Sequence, residues 1–267
     1  MTIFEDSTAT TWVSLQETLF SDAWCAERGE FHSNLVHRGV ANFDWALMAS
    51  LQHRGLVERE RDLFRNFRKY GRIPGSVRLG DWDLLTVAQH HGLPTRVMDW
   101  TYSPLVALYF ALEDETQEKN DAVVWSVDYV QVHERLPHTL RQALANSNAG
   151  AFTTEMLDAL RLDPVANSDE AEPAYALIFE PPSIDERVVN QYAGLSWMSR
   201  ADTEFSDWLN STPNVLARKV RVPAHLKAEI REKLDQANIN ERVLYPGLDG
   251  LTKWLRRYYS TPRRTWP

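Results

Sequence analysis

The sequence has a single cysteine, Cys25, and no long apolar segment. One cysteine excludes a disulfide-stabilised scaffold and a cysteine-based metal cluster. The longest apolar run, Pro104–Leu112, is about half the roughly 18 residues that a membrane-spanning helix needs. The first residues lack the basic and apolar regions of a secretion signal. We therefore expect a cytoplasmic protein without a membrane partner.

Several motifs that carry common chemistries are missing too. The chain contains no Gly-x-Gly-x-x-Gly, no Gly-x4-Gly-Lys-Ser/Thr and no Gly-x-Ser-x-Gly, which argues against the familiar nucleotide-binding folds and the α/β-hydrolases. His90 and His91 are adjacent, so on a helix they project about 100° apart and do not grip one metal ion. We predict no metal site. A nuclease is disfavoured as well, because no close cluster of acids accompanies a lysine at metal-site spacing.

The residues that are present describe an ordinary globular chain with one basic stretch. Of 267 residues, 43% are hydrophobic, and the net charge of −8 argues against a surface that binds nucleic acid everywhere. Residues 54–78 nevertheless hold eight basic residues against three acids. This stretch is either the solvated face of a helix or a surface for a nucleic acid or protein acceptor. The basic residues that would form that surface are Arg54, Arg61, Arg65 and Arg68.

Helices dominate the predicted first half, and strands enter in the second. Caps and apolar spacing predict helices at 11–24, 43–51, 58–70, 81–91 and 104–112. In the helix at 58–70, Leu63, Phe64, Phe67 and Tyr70 are predicted to face the core. Strands are predicted at 122–127, 175–179 and 215–222, followed by two amphipathic helices. We expect a single α+β domain with a helical extension at 1–29 and a basic tail at 258–267.

The segment Gln89–Leu112 reads QHHGLPTRVMDWTYSPLVALYFAL and is the most distinctive part of the sequence. Gly92 predicts the end of one helix, and the pair Ser103-Pro104 predicts the start of the next. We expect a tight polar turn between them. Within that turn Arg96 and Asp99 either form a buried ion pair or, with the neighbouring hydroxyls, line a floor for an anionic or ribose-bearing ligand.

This segment resembles the central motif of the FRG domain family, Gln-His-x-Gly-Leu-Pro-Thr-Arg followed by Leu-Asp-Trp-Thr-x-Ser-Pro. The tripeptide His37-Arg38-Gly39 stands where that family has Phe-Arg-Gly, with histidine in place of phenylalanine. Residues 181–191 resemble its Pro-x-x-Arg-x-x-x-Gln stretch, with Arg187 and Gln191 at the same spacing and Pro181 and Pro182 further upstream, and residues 239–251 resemble its closing Leu-Phe-Pro-Asp-Leu-Asp-Gly-Leu box, with Gly247 in place of an acid. The resemblance covers about residues 30–257, which we therefore expect to form an FRG domain.

A looser resemblance links the same elements to toxin-type ADP-ribosyltransferases, and it implies a transferase-like fold that uses NAD. In those enzymes an early strand carries an arginine for the dinucleotide phosphates, which corresponds to Arg38 beside His37 and Gly39. A Ser/Thr strand leading into a helix corresponds to Thr101 and Ser103. A later glutamate corresponds to Glu241, which would hold the ribose hydroxyl and stabilise the cationic ribose as nicotinamide leaves.

Three more residues are candidates for ligand binding, each with a simpler alternative. His90 is either a base or a cap for the carbonyls at a helix end. Gln191 either fixes a substrate amide or bonds to backbone, and Arg96 either binds the ligand or pairs with Asp99. His37 itself is either a ligand-binding group or a packed strand residue.

Two functions therefore remain open. The chain is either an NAD-using transferase-like enzyme, acting as a toxin or phage-defence effector, or a non-catalytic module that binds a nucleotide or a partner. Catalysis requires Arg38, Thr101, Ser103 and Glu241 to face one cleft, whereas the binding module has no such requirement.

Overall fold

The computed structural model describes residues 3–21, 24–25, 29–31, 33–71, 79–183 and 185–260. Within them, eight strands form one mixed sheet in the order β1-β10-β6-β4-β5-β9-β8-β7, and β2 and β3 form a separate pair. The strands are β1 Ile3–Thr8, β2 Trp24–Cys25, β3 Glu30–Phe31, β4 Leu35–Val40, β5 Val97–Thr101, β6 Ala122–Asp128, β7 Phe152–Thr153, β8 Ala176–Glu180, β9 Ala193–Met198 and β10 Leu216–Val222.

Helices connect these strands and cover both faces of the sheet. They are α1 Trp12–Leu19, α2 Ser50–His53, α3 Glu60–Tyr70, α4 Asp81–His90, α5 Pro104–Leu112, α6 Tyr129–His133, α7 His138–Ser147, α8 Thr154–Ala159, α9 Glu186–Asn190, α10 Phe205–Ser211, α11 Lys227–Gln236, α12 Glu241–Leu244 and α13 Leu248–Ser260. This is the single α+β domain that the sequence predicts. Among the described residues, no helix is long and apolar enough to cross a membrane.

The apolar core is divided by the sheet. On one face, strand residues such as Trp100 and Ile178 pack against Phe205 and Trp208 of α10. On the other, α5 lies over β4 and β6 with α1 and α11 beside it, and we call this the α5 face. A second apolar cluster, from α4, α7 and α8, covers the β8–β9 end of the α5 face. Burial of these three clusters is the main stabilising contribution to the fold.

Side-chain caps place several helices where the sequence predicts them. Thr11 caps α1 and forms a reciprocal capping pair with Ser14. Ser103 caps α5, with its hydroxyl accepting from the Val106 backbone N–H at 3.4 Å and Pro104 in the first turn. The predicted strands at 122–127, 175–179 and 215–222 and the predicted last two helices are also confirmed within one to three residues.

Other predictions are wrong at the level of single elements. The first helix ends at Leu19, so Trp24 lies in a strand, and residues 43–49 form no helix. Strand β1 pairs with β10 in the main sheet, so the amino-terminal segment contributes a sheet strand as well as the helix α1. The polar turn after α4 is interrupted by strand β5. Arg72, Arg78, Arg263 and Arg264 of the predicted basic segments lie outside the described residues.

Arg96 is buried, as expected of a charge in an apolar segment, but its partner is Glu60 of α3 and not Asp99. Its Nε donates to the two carboxylate oxygens of Glu60 at 3.0 and 2.8 Å, and its Nη1 donates to backbone carbonyls including that of Ala166 at 2.9 Å. Arg96 and Glu60 are 2% and 4% exposed. An extended chain alternates its side chains, so residues three apart, such as Arg96 and Asp99, project to opposite sides.

The revised pairing can be tested by three substitutions. Arg96→Ala and Glu60→Ala should each cost roughly 3–5 kcal/mol of unfolding free energy, because each leaves a buried charge without its partner. Asp99→Ala, at an exposed position, should change stability by less than about 1 kcal/mol. Urea unfolding of the three variants decides the matter. Comparable losses for Arg96→Ala and Asp99→Ala would restore the pairing first predicted from the sequence.

Candidate functional site

A row of buried polar side chains crosses the α5 face between its two apolar clusters. The strand register places Thr101 of β5 opposite His37 of β4, His37 opposite Ser126 of β6, and Ser126 opposite Arg218 of β10. All four are at most 5% exposed. His37 Nδ1 and the Ser126 hydroxyl are 2.8 Å apart. We call Thr101, His37, Ser126 and Arg218 the polar row.

The polar row is satisfied mainly by contacts within the protein. Burial, helped by the positive charge of Arg218, lowers the pKa of His37 to about 4, so the imidazole is neutral at physiological pH. The Thr101 hydroxyl donates to the Gln191 carbonyl at 2.7 Å and accepts from the Ser103 backbone N–H at 3.0 Å. The Gln191 side chain donates to the Leu244 carbonyl at 2.9 Å. His37, Thr101, Ser103 and Gln191 therefore lie together, in roles that support the fold.

Arg38 occupies the point where β4 and β5 separate. Within the described residues the two strands are paired at a single position, His37 opposite Thr101. Beyond it, Arg38 Nη1 donates to the backbone carbonyl of Asp99 at 2.5 Å. Because side chains alternate along a strand, Arg38 leaves β4 on the side opposite to His37 and Thr101. Burial lowers the pKa of the guanidinium, and the Asp99 carboxylate opposes that effect.

Gly39 is needed for the packing of α5. A Cβ at this position would lie 1.9 Å from the Ala107 carbonyl oxygen and 2.4 Å from the Ala111 amide nitrogen, both in the backbone of α5. The transferase resemblance places Gly39 beside the arginine for the ligand phosphates, but helix α5 itself occupies the space next to this glycine. Only glycine permits such a close approach between helix and strand.

Exposed polar side chains lie around Asp99, which is two residues before Thr101 in β5. The Asp99 carboxylate is exposed and accepts from Gln89 Nε2 of α4 at 2.5 Å. Four further side chains lie close enough to act on each other's charge. We call these six residues the Asp99 cluster: Gln89, His90, Asp99, Asp185, Arg187 and Tyr245.

His90 belongs to this cluster as a neutral hydrogen-bond donor. Its Nε2 lies 2.9 Å from the Asp185 carboxylate, which accepts the bond. Burial and the positive charge of Arg187 lower the pKa of His90, and the acidic neighbours Asp185 and Asp99 only partly offset this. The neutral imidazole therefore links the end of α4 to the start of α9.

Arg187 and Tyr245 close the other side of the cluster. The Arg187 guanidinium lies 5.0 Å from the centre of the Tyr245 ring. In the described part of the chain no acceptor reaches Arg187 Nε, although this atom is buried. The Tyr245 hydroxyl donates to Glu113 at 2.9 Å, and burial together with the Glu113 charge raises its pKa. Arg187 thus retains a donor for an acceptor that the described residues do not supply.

Glu241 does not join either group. Its carboxylate, 6% exposed, is held by Arg231 and by Arg257, whose Nε and Nη2 lie at 2.7 and 2.9 Å. Although burial raises its pKa, the hydrogen bonds from Arg257 and the charge of Arg231 outweigh that effect and bring the value to about 2. Glu241 is therefore an ionised member of an ion cluster between α11, α12 and α13. Arg96, paired with Glu60, is likewise engaged elsewhere.

Comparison with known protein families gives a match to part of the chain. Residues 33–120 match the family model of the FRG domain. The match covers His37, Arg38, Gly39, Gln89, His90 and Asp99, whereas Asp185, Arg187 and Tyr245 lie beyond it. No curated protein matches the chain, and no solved structure does.

Three residues of the Asp99 cluster lie outside the matched segment, and sequence patterns alone did not identify them. Asp185 and Arg187 lie on a short helix more than 80 residues after Asp99 in the sequence, and Tyr245 follows another short helix. The one available signal is the order of the FRG-like motifs, which includes Arg187 and the position of Tyr245, where the family motif has phenylalanine. That signal does not say which of these residues meet in space.

The role of Gly39 can be tested by adding one methyl group. Gly39→Ala should cost at least roughly 1–3 kcal/mol, since the new Cβ collides with the α5 backbone. Gly194→Ala is the matched control, because its Cβ would lie 3.5 Å or more from its nearest neighbours. Thermal unfolding measures both. If Gly39→Ala were as stable as Gly194→Ala, the close packing of α5 on β4 would be refuted.

Because of the ion cluster around Glu241, we expect the free energy of unfolding to depend on pH in the acidic range. A carboxyl whose pKa falls from 4.5 to about 2 on folding contributes roughly 3 kcal/mol above pH 5, and this contribution is lost as the pH falls toward 2. The stability difference between the wild type and Glu241→Gln should therefore shrink over that range. Glu232→Gln, at an exposed glutamate of α11, serves as control. A difference independent of pH would contradict the assignment.

Proposed function

We propose that this chain binds a nucleotide-type small molecule at the Asp99 cluster. The observation that carries the proposal is the convergence of an exposed carboxylate, an arginine with a buried unpaired Nε and a side-chain amide in one place. A nucleotide supplies complementary groups, since its ribose hydroxyls donate to a carboxylate and its phosphates accept from a guanidinium.

The binding function is favoured over catalysis through Glu241. A glutamate that stabilises a cationic ribose must face the substrate, but Glu241 already accepts hydrogen bonds from two arginines. Arg38 similarly uses its guanidinium to join two strands. Both residues would have to give up these contacts to act as the transferase resemblance implies, at a considerable cost for buried charges.

NAD is the first ligand to test, because the transferase hypothesis can be restated with Asp99 in place of Glu241 as the carboxylate near the ribose. Of the two exposed carboxylates in this cluster, Asp185 accepts from His90, so Asp99, beside Gln89, is the group that would contact a bound ribose. Action as a toxin or a phage-defence effector would follow only if binding is coupled to consumption of NAD.

The experiment is calorimetric titration with NAD, ADP-ribose and ATP. Asp99→Asn and Arg187→Gln should each weaken binding roughly 10- to 100-fold, the effect of losing one charge-assisted hydrogen bond. Asn can still accept from Gln89, so the local structure should persist. Glu186→Gln, next to Arg187 and exposed, is the matched control and should bind like the wild type.

Three outcomes would change the proposal. If none of the three nucleotides binds to the wild type, the nucleotide site is refuted. If NAD is consumed and Asp99→Asn abolishes turnover, the chain is an enzyme whose essential carboxylate is Asp99. Turnover lost in Glu241→Gln, with the fold intact by circular dichroism, would instead support the original transferase assignment.

A further inference from the structure

Three tyrosines and one glutamate meet where the strands β5, β6, β8 and β9 reach one end of the sheet. Tyr102 directly follows β5, Tyr129 follows β6 as the first residue of α6, and Tyr192 directly precedes β9. Glu180 is the last residue of β8. Since β5 and β8 each pair antiparallel with β9, their last residues lie beside its first residues. We call these four residues the tyrosine cluster.

The tyrosine cluster lies on the face of the sheet opposite to the polar row. Because side chains alternate along an extended chain, Tyr102 shares the side of Trp100, whereas Thr101 and Asp99 project to the α5 face. Tyr102 and Tyr129 accordingly pack against the apolar cluster that contains Trp100. The tyrosine cluster is therefore separate from the proposed nucleotide site.

The aromatic rings of the cluster contact one another through Tyr102. The centre of the Tyr102 ring lies 5.2 Å from that of Tyr192 and 5.9 Å from that of Tyr129. The Tyr102 backbone N–H donates to the Tyr192 carbonyl at 3.0 Å, which fixes the two residues relative to each other. The Tyr102 hydroxyl donates to the exposed Glu180 carboxylate at 3.4 Å. The rings and the carboxylate therefore form one connected group at the surface.

The charge of this group is negative. Burial, followed by the charge of Glu180, raises the pKa of both Tyr102 and Tyr129, and Asp128 adds to the effect at Tyr129. The phenol groups therefore stay neutral at physiological pH, and the carboxylate carries the charge. Within the described ranges of the chain, no lysine, arginine or histidine side chain pairs with Glu180. The group thus offers aromatic rings and an anion to a cation from outside.

Tyr192 has a backbone conformation that a bulky side chain rarely adopts. Its φ is 47°, in the left-handed region that favours glycine and asparagine. Its side chain is 62% exposed, so burial in the core does not account for an aromatic residue at this strained position. Strain of this kind is concentrated at binding and catalytic sites. The exposed ring of Tyr192 is therefore a second, independent indication of a ligand.

We propose that the tyrosine cluster binds the quaternary ammonium group of a small organic cation, independently of the nucleotide site. Aromatic ring faces attract cations, and sets of such rings recognise quaternary ammonium groups. Glu180 supplies the opposite charge beside the rings. Choline and Nε-trimethyllysine both carry this group, so the chemistry that they share defines the ligand.

Other cations fit the tyrosine cluster less well. A primary ammonium is compact and strongly hydrated, so it loses more on leaving water than a methylated one. A guanidinium binds best through two parallel hydrogen bonds to one carboxylate. One oxygen of Glu180 already accepts from the Tyr102 hydroxyl, which disfavours that geometry.

The test is calorimetric titration of the full chain with two matched pairs of compounds. Choline is compared with 3,3-dimethyl-1-butanol, which has the same shape without the charge, and Nε-trimethyllysine is compared with lysine. Tyr192→Asn removes the exposed ring and suits the left-handed backbone, and Glu180→Gln removes the charge. Tyr192→Phe keeps the ring, and Glu170→Gln, at an exposed glutamate elsewhere, controls for general charge. Thermal unfolding verifies that each variant is folded.

We expect choline and trimethyllysine each to bind about tenfold more tightly than their comparison compounds. Tyr192→Asn and Glu180→Gln should each weaken binding by about fivefold or more, while both control variants bind like the wild type. The proposal is overturned if neither quaternary cation binds, if the neutral alcohol or lysine binds equally well, or if Tyr192→Asn binds like the wild type. Nucleotide binding at the Asp99 cluster should be unchanged in every variant.

Discussion

Helix α5 lies directly on strand β4, with hydrogen as the only side chain of Gly39 between the two backbones. The helix is apolar on nearly every side and is buried between the sheet and the surrounding helices α1, α11 and α12. Its position fixes Ser103 at its first turn, and through Ser103 it fixes Thr101 at the end of β5. The geometry of the candidate site therefore depends on this one close contact.

The interior of the protein holds several polar groups, and many of those described pair with one another, whereas atoms such as Arg187 Nε and Arg231 Nε find no acceptor in the described part of the chain. The polar row, the Arg96–Glu60 pair and the carboxylate of Glu241 are hydrogen-bonded within the fold. Burial of such groups is costly unless they are paired, which explains why the pairs are extensive. It also limits chemistry to positions that retain exposed or unpaired polar atoms, and Asp99 and Arg187 are two of these.

Helix α3 contacts the protein interior on one side and solvent on the other. On its inner side Glu60 neutralises Arg96 at the start of β5, the strand that carries Asp99. On its outer side the half-buried Leu63 and Phe67 and the exposed Tyr70 remain without apolar cover from the described residues. The same helix therefore holds the start of the strand that carries Asp99 from within and presents a partly apolar side to solvent.

The sequence by itself determined the elements whose signals are local. Helix starts are indicated by Thr11 and by the pair Ser103-Pro104, and a helix end is indicated by Gly92. Apolar runs predict the strands β6, β8 and β10. Motif order also drew attention to His37, Thr101, Ser103 and Gln191, which do lie together. Only the tertiary structure decided which charges pair: Arg96 with Glu60, and Glu241 with Arg231 and Arg257. Ion pairs form between side chains brought close by packing, and their partners here come from distant elements, so no spacing along the chain specifies them.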